Sequence, residues 1–332
     1  MLSDEGLMSD SNGFASITLI SPDGSTEAQF VPHANMLCRS LKHRGSELLD
    51  QGRGVTAYTE RGATMGIPLL YPWANRLSGF DYGAGGKRVA LPRRGGLIPV
   101  DDAGLPIHGA LPGRLRWEVD RQGRGDRMTA RLAWTSEDLL ELFPFAHELR
   151  FDASLSDQAL TITTTLRATG EDAVPVSFGY HPYLRVPGAG RESWQVTLGA
   201  FRHLIVDERM IPTGEREPIE RRSLCLGEQS FDDGFDGLAV PAEFEVAAGD
   251  YALTVEFLEG FAYAQVYAPT GHDFVCFEPM TAPTNALNSG NGLALVAPGA
   301  EYRAAFSVAI WPAGRSGARP GAPSSAAKEL VV

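Results

Sequence analysis

The stretches HELRFDASLS (147–156) and ALTITTTLR (159–167) decide the fold class. In the first, Leu149, Phe151, Ala153 and Leu155 alternate with Glu148, Arg150, Asp152 and Ser154. In the second, Leu160, Ile162 and Leu166 alternate with Thr161, Thr163, Thr165 and Arg167. Successive side chains of a pleated strand point to opposite faces, so each segment has one apolar and one polar face. RMTARLAWTS (127–136), ESWQVTLGA (192–200), DYALTVEF (250–257) and EYRAAFSVAIW (301–311) carry the same period. Turn formers punctuate them at PDG (22–24), RQGRGD (121–126), ATGED (168–172), AAGD (247–250) and APTGHD (268–273). The one helical signal is SEDLLELF (136–143), with Ser136 as N-cap and Pro144 as stop. Strands do not alternate with long amphipathic helices, which disfavours a Rossmann or α/β-barrel fold. Short strands set off by Gly and Pro predict an all-β fold, a large antiparallel β-sandwich.

No composition break or fixed-period repeat divides the chain, so residues 1–313 read as one domain. Residues 314–332, rich in Gly, Pro, Ser and Ala, read as a mobile extension. With 332 residues, 43% of them apolar, the chain can bury a real core. Lys+Arg 29 against Asp+Glu 41 gives a net charge of −12, which repels phosphate backbones and anionic lipid. Neither nucleic acid nor a membrane is therefore expected as a partner, and neutral ligands stay open. Three scattered cysteines (Cys38, Cys225, Cys276) suit a reducing compartment and neither a disulfide framework nor a thiolate zinc site. The opening MLSDEGLMSDSN lacks the segments of a signal peptide, and no apolar run approaches a membrane span, so a cytoplasmic location is expected. Histidines do not occur at HxH or HxxxH spacing, and GxSxG, Walker and Rossmann glycine patterns are absent. No metal and no cofactor are expected. GAGGKR (83–88) reads as a hairpin turn.

Four segments interrupt the apolar pattern with polar residues beside Pro or Gly. In GIPLLYPWANRLSG (66–79), Pro68 and Pro72 exclude helix, and packing of Ile67, Leu69, Leu70 and Trp73 would hold Asn75 and Arg76. A held guanidinium can grip sugar hydroxyls or a carboxylate, unless it only pairs with a surface acid. LPIHGALPG (105–113) sets His108 in an apolar loop, as a pocket donor or a core histidine bonded to a carbonyl. In VPVSFGYHPYLRV (174–186), Val174, Val176, Phe178 and Tyr180 mark one strand face and His181 the other. His181, flanked by Tyr180 and Tyr183 as candidate walls for a sugar ring, either exchanges protons near neutrality or faces solvent at a sheet edge. In DFVCFEPMTAPTNAL (273–287), Phe274, Cys276 and Glu278 share one face and Val275 and Phe277 the other, before Pro279 and Pro283 turn the chain out of the sheet. A carboxylate on an apolar face needs a donor or a raised pKa, which suits a general base or a structural ion pair. FDDGFDGL (231–238) adds Asp232, Asp233 and Asp236; an Asp-Gly turn is the default there, since no EF-hand loop surrounds it.

Taken together, Asn75-Arg76, His108-Gly109, His181-Pro182-Tyr183, the D-x-x-F of Asp232 to Phe235, and Glu278-Pro279 resemble the motifs of the aldose 1-epimerase (galactose mutarotase) family, in that family's order. The resemblance implies a galactose mutarotase-like supersandwich whose concave sheet face holds a sugar. It also implies cofactor-free interconversion of α and β anomers of a neutral aldohexose. Carried over by motif, Glu278 would be the base and His181 the acid. Arg76 and His108 would grip ring and hydroxyl oxygens, Asp232 (or Asp233) would accept from sugar hydroxyls, and Asn75 would support Arg76. Leu184 stands where the family often has Phe. Acid and base are expected on opposite flanks of the sugar, about a ring's width apart.

Two alternatives accompany this reading. A hexose-6-phosphate 1-epimerase would need cationic clamps, for which Arg93, Arg94 and Arg185 are candidates. A carbohydrate-binding or sensing protein would bind sugar without exchanging its anomers.

Overall fold

The fold is described from a computed structural model covering residues 8–9, 13–93, 96–120 and 125–312. The expected extension at 314–332 and most of the 121–126 turn lie outside the described residues.

The two deciding segments become neighbouring antiparallel strands, His147–Leu155 and Ala159–Ala168, with Leu149 opposite Leu166 and Ala153 opposite Ile162. They belong to a nine-stranded sheet in which Ala159–Ala168 also pairs with Glu301–Pro312, and that strand with Tyr251–Glu259. Leu149, Phe151, Ala153, Leu155, Leu160, Ile162 and Leu166 are no more than 3% exposed. Removing each Leu, Ile or Phe side chain from water contributes about 1.5–3 kcal/mol, an upper estimate for an extended reference chain. Thr164 interrupts that apolar face, and its hydroxyl meets the Tyr180 hydroxyl at 2.5 Å. An unpaired hydroxyl there would cost about 1–3 kcal/mol.

Facing this layer is an eight-stranded sheet. Its order is Pro212–Ile219, Phe201–Val206, Phe231–Asp236, Tyr263–Ala268, Val275–Met280, Gly179–Tyr180 and Leu69–Leu70, with Tyr183–Leu184 also on Val275–Met280. Rings join the layers: Phe277 lies 5.7 Å from Phe244, Phe201 4.9 Å from Phe244, and Tyr180 4.8 Å from Phe306. A five-stranded sheet built from residues 8–47 adds Phe30 to the same core, 5.8 Å from Phe151. Buried Arg191 donates to the carbonyls of Gly227, Gln229, Ala268, His272 and Phe274, tying down the turn between Tyr263–Ala268 and Val275–Met280.

Local expectations hold at several points. Gly85 and Gly86, both at positive φ (55° and 78°), make the two-residue hairpin turn between Asp81–Ala84 and Lys87–Ala90. The helix forms at Glu137–Leu142, although the Ser136 hydroxyl bonds Asp138 Oδ1 at 2.6 Å and not a backbone N–H.

Elsewhere the structure departs from the reading. FDDGFDGL is no Asp-Gly turn: Phe231–Asp236 is a central strand, and the turn begins at Gly237 (φ 71°). Residues 174–186 are three short strands, Val174–Val176 pairing with Ala294–Val296 and the other two with Val275–Met280. Prolines 175 and 182 limit ladder bonding there. In 192–200 only Gln195–Leu198 is strand, preceded by a short 3₁₀ turn. Pro279 does not end its strand, which runs to Met280; near a strand end one missing donor removes a single ladder bond.

Candidate active site

Register alone brings the chemistry together. Gly179 lies opposite Met280 and Tyr183 opposite Cys276, so His181 falls across from Glu278. Glu278 is opposite Gln265, Gln265 opposite Gly234, and Gly234 opposite Leu204. Cys276, Tyr267 and Asp232 form the adjacent row. With Phe277, Val266 and Phe235 turned into the core, Glu278, Gln265, Tyr267 and Asp232 share the face pointing away from the sandwich. Loops 66–79 and 105–111 cover that face, bridged at Tyr71–Gly109 and Arg76–Ile107.

His181 Nε2 lies 3.1 Å from Glu278 Oε1, and the two residues are 5% and 2% exposed. Burial, with the Asp232 carboxylate adding and Arg76 opposing, pushes the Glu278 carboxyl well above the usual carboxylate range. Burial and the neighbouring His108 hold the His181 imidazole well below its ordinary value. Desolvation thus disfavours the charged form of each partner, and the pair keeps one proton between Oε1 and Nε2.

His108 sits edge-on to His181, with ring centroids 5.7 Å apart. The Asn75 N–H donates to His108 Nδ1 at 3.2 Å, and the His108 N–H donates to the Asn75 carbonyl at 3.0 Å. An accepting Nδ1 puts the proton of the neutral ring on Nε2, leaving an N–H donor. Burial and then the Arg76 cation pull His108 down to about 3, so the ring stays neutral. His108 and Asn75 both have positive φ (61° and 58°). Gly109 follows His108 because a Cβ there would lie 2.1 Å from the Tyr71 carbonyl oxygen.

Arg76 Nε donates to Asp101 Oδ2 at 2.8 Å and Nη1 to Asn75 Oδ1 at 3.1 Å, while Nη2 stands 3.9 Å from Asp232 Oδ2. The Ala103 and Leu105 N–H groups hold the other Asp101 oxygen. Asp232 Oδ1 accepts from Gln265 Nε2 at 2.7 Å. Asp232 and the Arg76 Nη2 edge therefore face each other across a gap wide enough for a hydroxyl to bridge. Among the described residues no group of three His, Cys, Asp or Glu side chains is placed to hold a metal ion.

The sequence matches the aldose 1-epimerase family over residues 36–309. The chain belongs to that family. It is an isomerase, an epimerase of small sugars. Among similar proteins, the YihR protein of Escherichia coli K12, itself uncharacterized, is 24% identical over 286 residues, covering 77% of this chain and 87% of YihR. A galactose mutarotase-like protein from Clostridium acetobutylicum shares the fold with a TM-score of 0.79 at 18% identity, over 92% of this chain and 98% of that one. The Slr1438 protein of Synechocystis sp. PCC 6803 does so with a TM-score of 0.72 at 24% identity, over 94% and 99%.

For an aldose 1-epimerase family member, the placement of the singled-out residues is informative. Asn75, Arg76, His108, His181, Asp232 and Glu278 all meet at this one face. Asp233 does not: it points to the opposite side of its strand and meets His203 at 3.1 Å. Tyr180 is no wall of the site, because it faces the core. His181 and Glu278 are in contact and not a ring's width apart. In a cyclic hemiacetal the C1 hydroxyl and ring oxygens are bonded to one carbon, so two groups acting on both would have no need to straddle the ring. Sequence reasoning missed Gln265 and Asp101, which hold Asp232 and Arg76. Gln265 had a signal: it interrupts the outward row Tyr263, Gln265, Tyr267 in a strand whose other face, Ala264, Val266 and Ala268, is wholly buried.

Of the cations considered for a phosphate clamp, two are described and each already has a partner. Arg93 covers the Phe80 ring, Arg185 stands 4.0 Å from Asp50, and Arg94 lies outside the described residues. A different pair shares the site face: Arg202 and Arg216 each donate Nε to buried Asp236, at 2.8 and 2.7 Å.

Proposed function

We propose that this protein interconverts the α and β anomers of a neutral aldohexose by acid–base ring opening and reclosure, without a cofactor, in the cytoplasm. The observation that carries this reading is the 3.1 Å contact of buried His181 and Glu278 beside Arg76, His108 and Asp232. Glu278 as carboxylate takes the proton of the C1 hydroxyl, and His181 as imidazolium gives one to the ring oxygen. The C1–ring-oxygen bond breaks, its electron pair stays on that oxygen, and C1 becomes a carbonyl. After rotation about C1–C2 both protons return and the ring closes on the other face.

This cycle starts from the charge-separated state of the pair, reached by moving the shared proton from Oε1 to Nε2. Burial makes that state costly, and proton exchange with the sugar discharges both partners at once, which drives the ring-opening step. The Arg76 Nη edge and the His108 Nε2–H supply donors to ring and hydroxyl oxygens, Asp232 an acceptor, and Asn75 the support for Arg76. Polarimetry of fresh α-glucose and α-galactose tests the reading. The wild type should hasten the approach to equilibrium, and Glu278→Gln should lose that effect while melting as a folded protein. A Glu278→Gln rate equal to wild type would contradict it.

The Arg202–Asp236–Arg216 arrangement favours a second reading, in which the sugar carries a phosphate remote from C1. Two guanidiniums on one carboxylate leave one net positive charge in that cluster. A strong rate preference for glucose 6-phosphate over glucose would select it.

A further inference from the structure

The His181 ring lacks the usual orienting bond. An imidazole used for proton transfer is ordinarily aimed by a hydrogen bond to its second nitrogen. Here Nδ1 is buried with no hydrogen-bond partner among the described residues. The ring's polar contacts with other residues are at Nε2, where Glu278 Oε1 lies at 3.1 Å and the Tyr183 hydroxyl at 3.5 Å. Both contacts sit at one ring nitrogen, so neither holds the Nδ1 side of the ring.

The plane is set by another group. Tyr183 lies parallel to His181, with centroids 4.4 Å apart and 6° between the rings. Its own position is held on every side. The hydroxyl meets Thr64 Oγ1 at 2.6 Å, and the ring packs edge-on to Phe274 at 4.9 Å. Its N–H donates to the Gly66 carbonyl at 2.8 Å, and its carbonyl accepts from the Asp50 N–H at 2.9 Å. Thr64 comes from a segment 119 residues earlier in the chain, so the tether is tertiary and not part of the His-Pro-Tyr turn.

We propose that Tyr183, tethered by Thr64, is a positioning residue that replaces the missing Nδ1 bond, holding the His181 ring so that Nε2 stays directed at the Glu278 oxygen and the reacting proton. This rests on the mutarotase reading of the site. It makes the stack responsible for the orientation of His181 and the Thr64 tether responsible for the rigidity of the stack.

Tyr183→Phe keeps the stack and loses the tether, Thr64→Val removes the tether from the other side, and Tyr183→Leu removes the stack. Anomer exchange of glucose is measured from pH 5 to 9 for each folded variant and the wild type. The expected kcat losses are about 3- to 10-fold for the two tether variants and about 100-fold for Tyr183→Leu, with KM held within about twofold, because misplacing a reacting group by about 1 Å costs rate and not affinity. The ¹⁵N resonances of His181 should broaden in the same order as the ring gains freedom. Wild-type kcat in Tyr183→Leu, or KM rising in step with the fall in kcat, would overturn the proposal. If Tyr183→Leu does not fold, unchanged rates and sharp His181 lines in both tether variants overturn it equally. A wild type that exchanges no aldose would remove the mutarotase reading instead, and the His181 line widths would still decide the positioning role.

Discussion

Four histidines in this protein are pulled below their ordinary value by their surroundings: His108 and His181 at the site, His147 behind it and half-buried His43. His147 is fully buried, Nδ1 within 2.6 Å of the Phe145 carbonyl and Nε2 facing the Tyr71 hydroxyl, so Nδ1 donates and Nε2 accepts. Burial lowers it from its ordinary 6.5 to about 4, the Phe145 carbonyl opposing. A histidine whose folded value is depressed contributes stability that is complete above 6.5 and is lost as pH falls through the folded value, about 4 for His147 and about 3 for His108. Glu278 acts with the opposite sign. Its raised carboxyl contributes fully below the unfolded value and loses that contribution as pH rises. Urea unfolding at a series of pH values from 7.5 to 4.5 should therefore show stability falling with acid. His147→Gln should flatten the dependence by about one proton, or about 1.4 kcal/mol per pH unit at most. An unaltered slope in His147→Gln would show that the imidazole is already protonated in the fold.

At the level of elements, the site is a sheet face closed by two irregular loops, and their junction is backbone to backbone. Tyr71 and Gly109 form a bridge, the Ala110 N–H donates to the Tyr71 carbonyl at 2.8 Å, and Gly109 has φ 77°. Gly109→Ala combines a left-handed backbone with a Cβ 2.1 Å from a carbonyl oxygen that no side-chain movement can relieve. The expected loss is about 2 kcal/mol or more in urea unfolding, with a matching rise in KM as His108 and Asn75 shift together. A variant as stable as wild type would mean that the loops are not coupled there. The strands of this face were partly legible beforehand. Period two placed Glu278 with Cys276 and Phe274, away from Val275 and Phe277, because alternation is a local property of extended chain. It could not show that 174–186 breaks into three pieces, since Pro175 and Pro182 act through which ladder bonds exist, a matter of partners and not of pattern.

For the whole molecule, the sandwich followed from alternation and punctuation, and the proposed site residues from motifs resembling those of the aldose 1-epimerase family. Their meeting did not. His181 and Glu278 are opposed only because two separate short strands fix the register on either side of His181. The partners Asp101 and Gln265 sit in a turn and a strand that carry no sequence mark beyond polarity. The burial around His181 and Glu278 is likewise a property of the assembled layers. The central claim is that these two groups work as one unit at C1, and magnetisation transfer between the anomeric protons of α- and β-glucose tests it most directly. The account predicts that His181→Ala and Glu278→Gln each slow exchange by at least about 10²-fold, and that the double variant is hardly slower than either, because neither partner transfers its proton without the other. Losses that multiply in the double variant, or a single variant that exchanges anomers as fast as wild type, would contradict it.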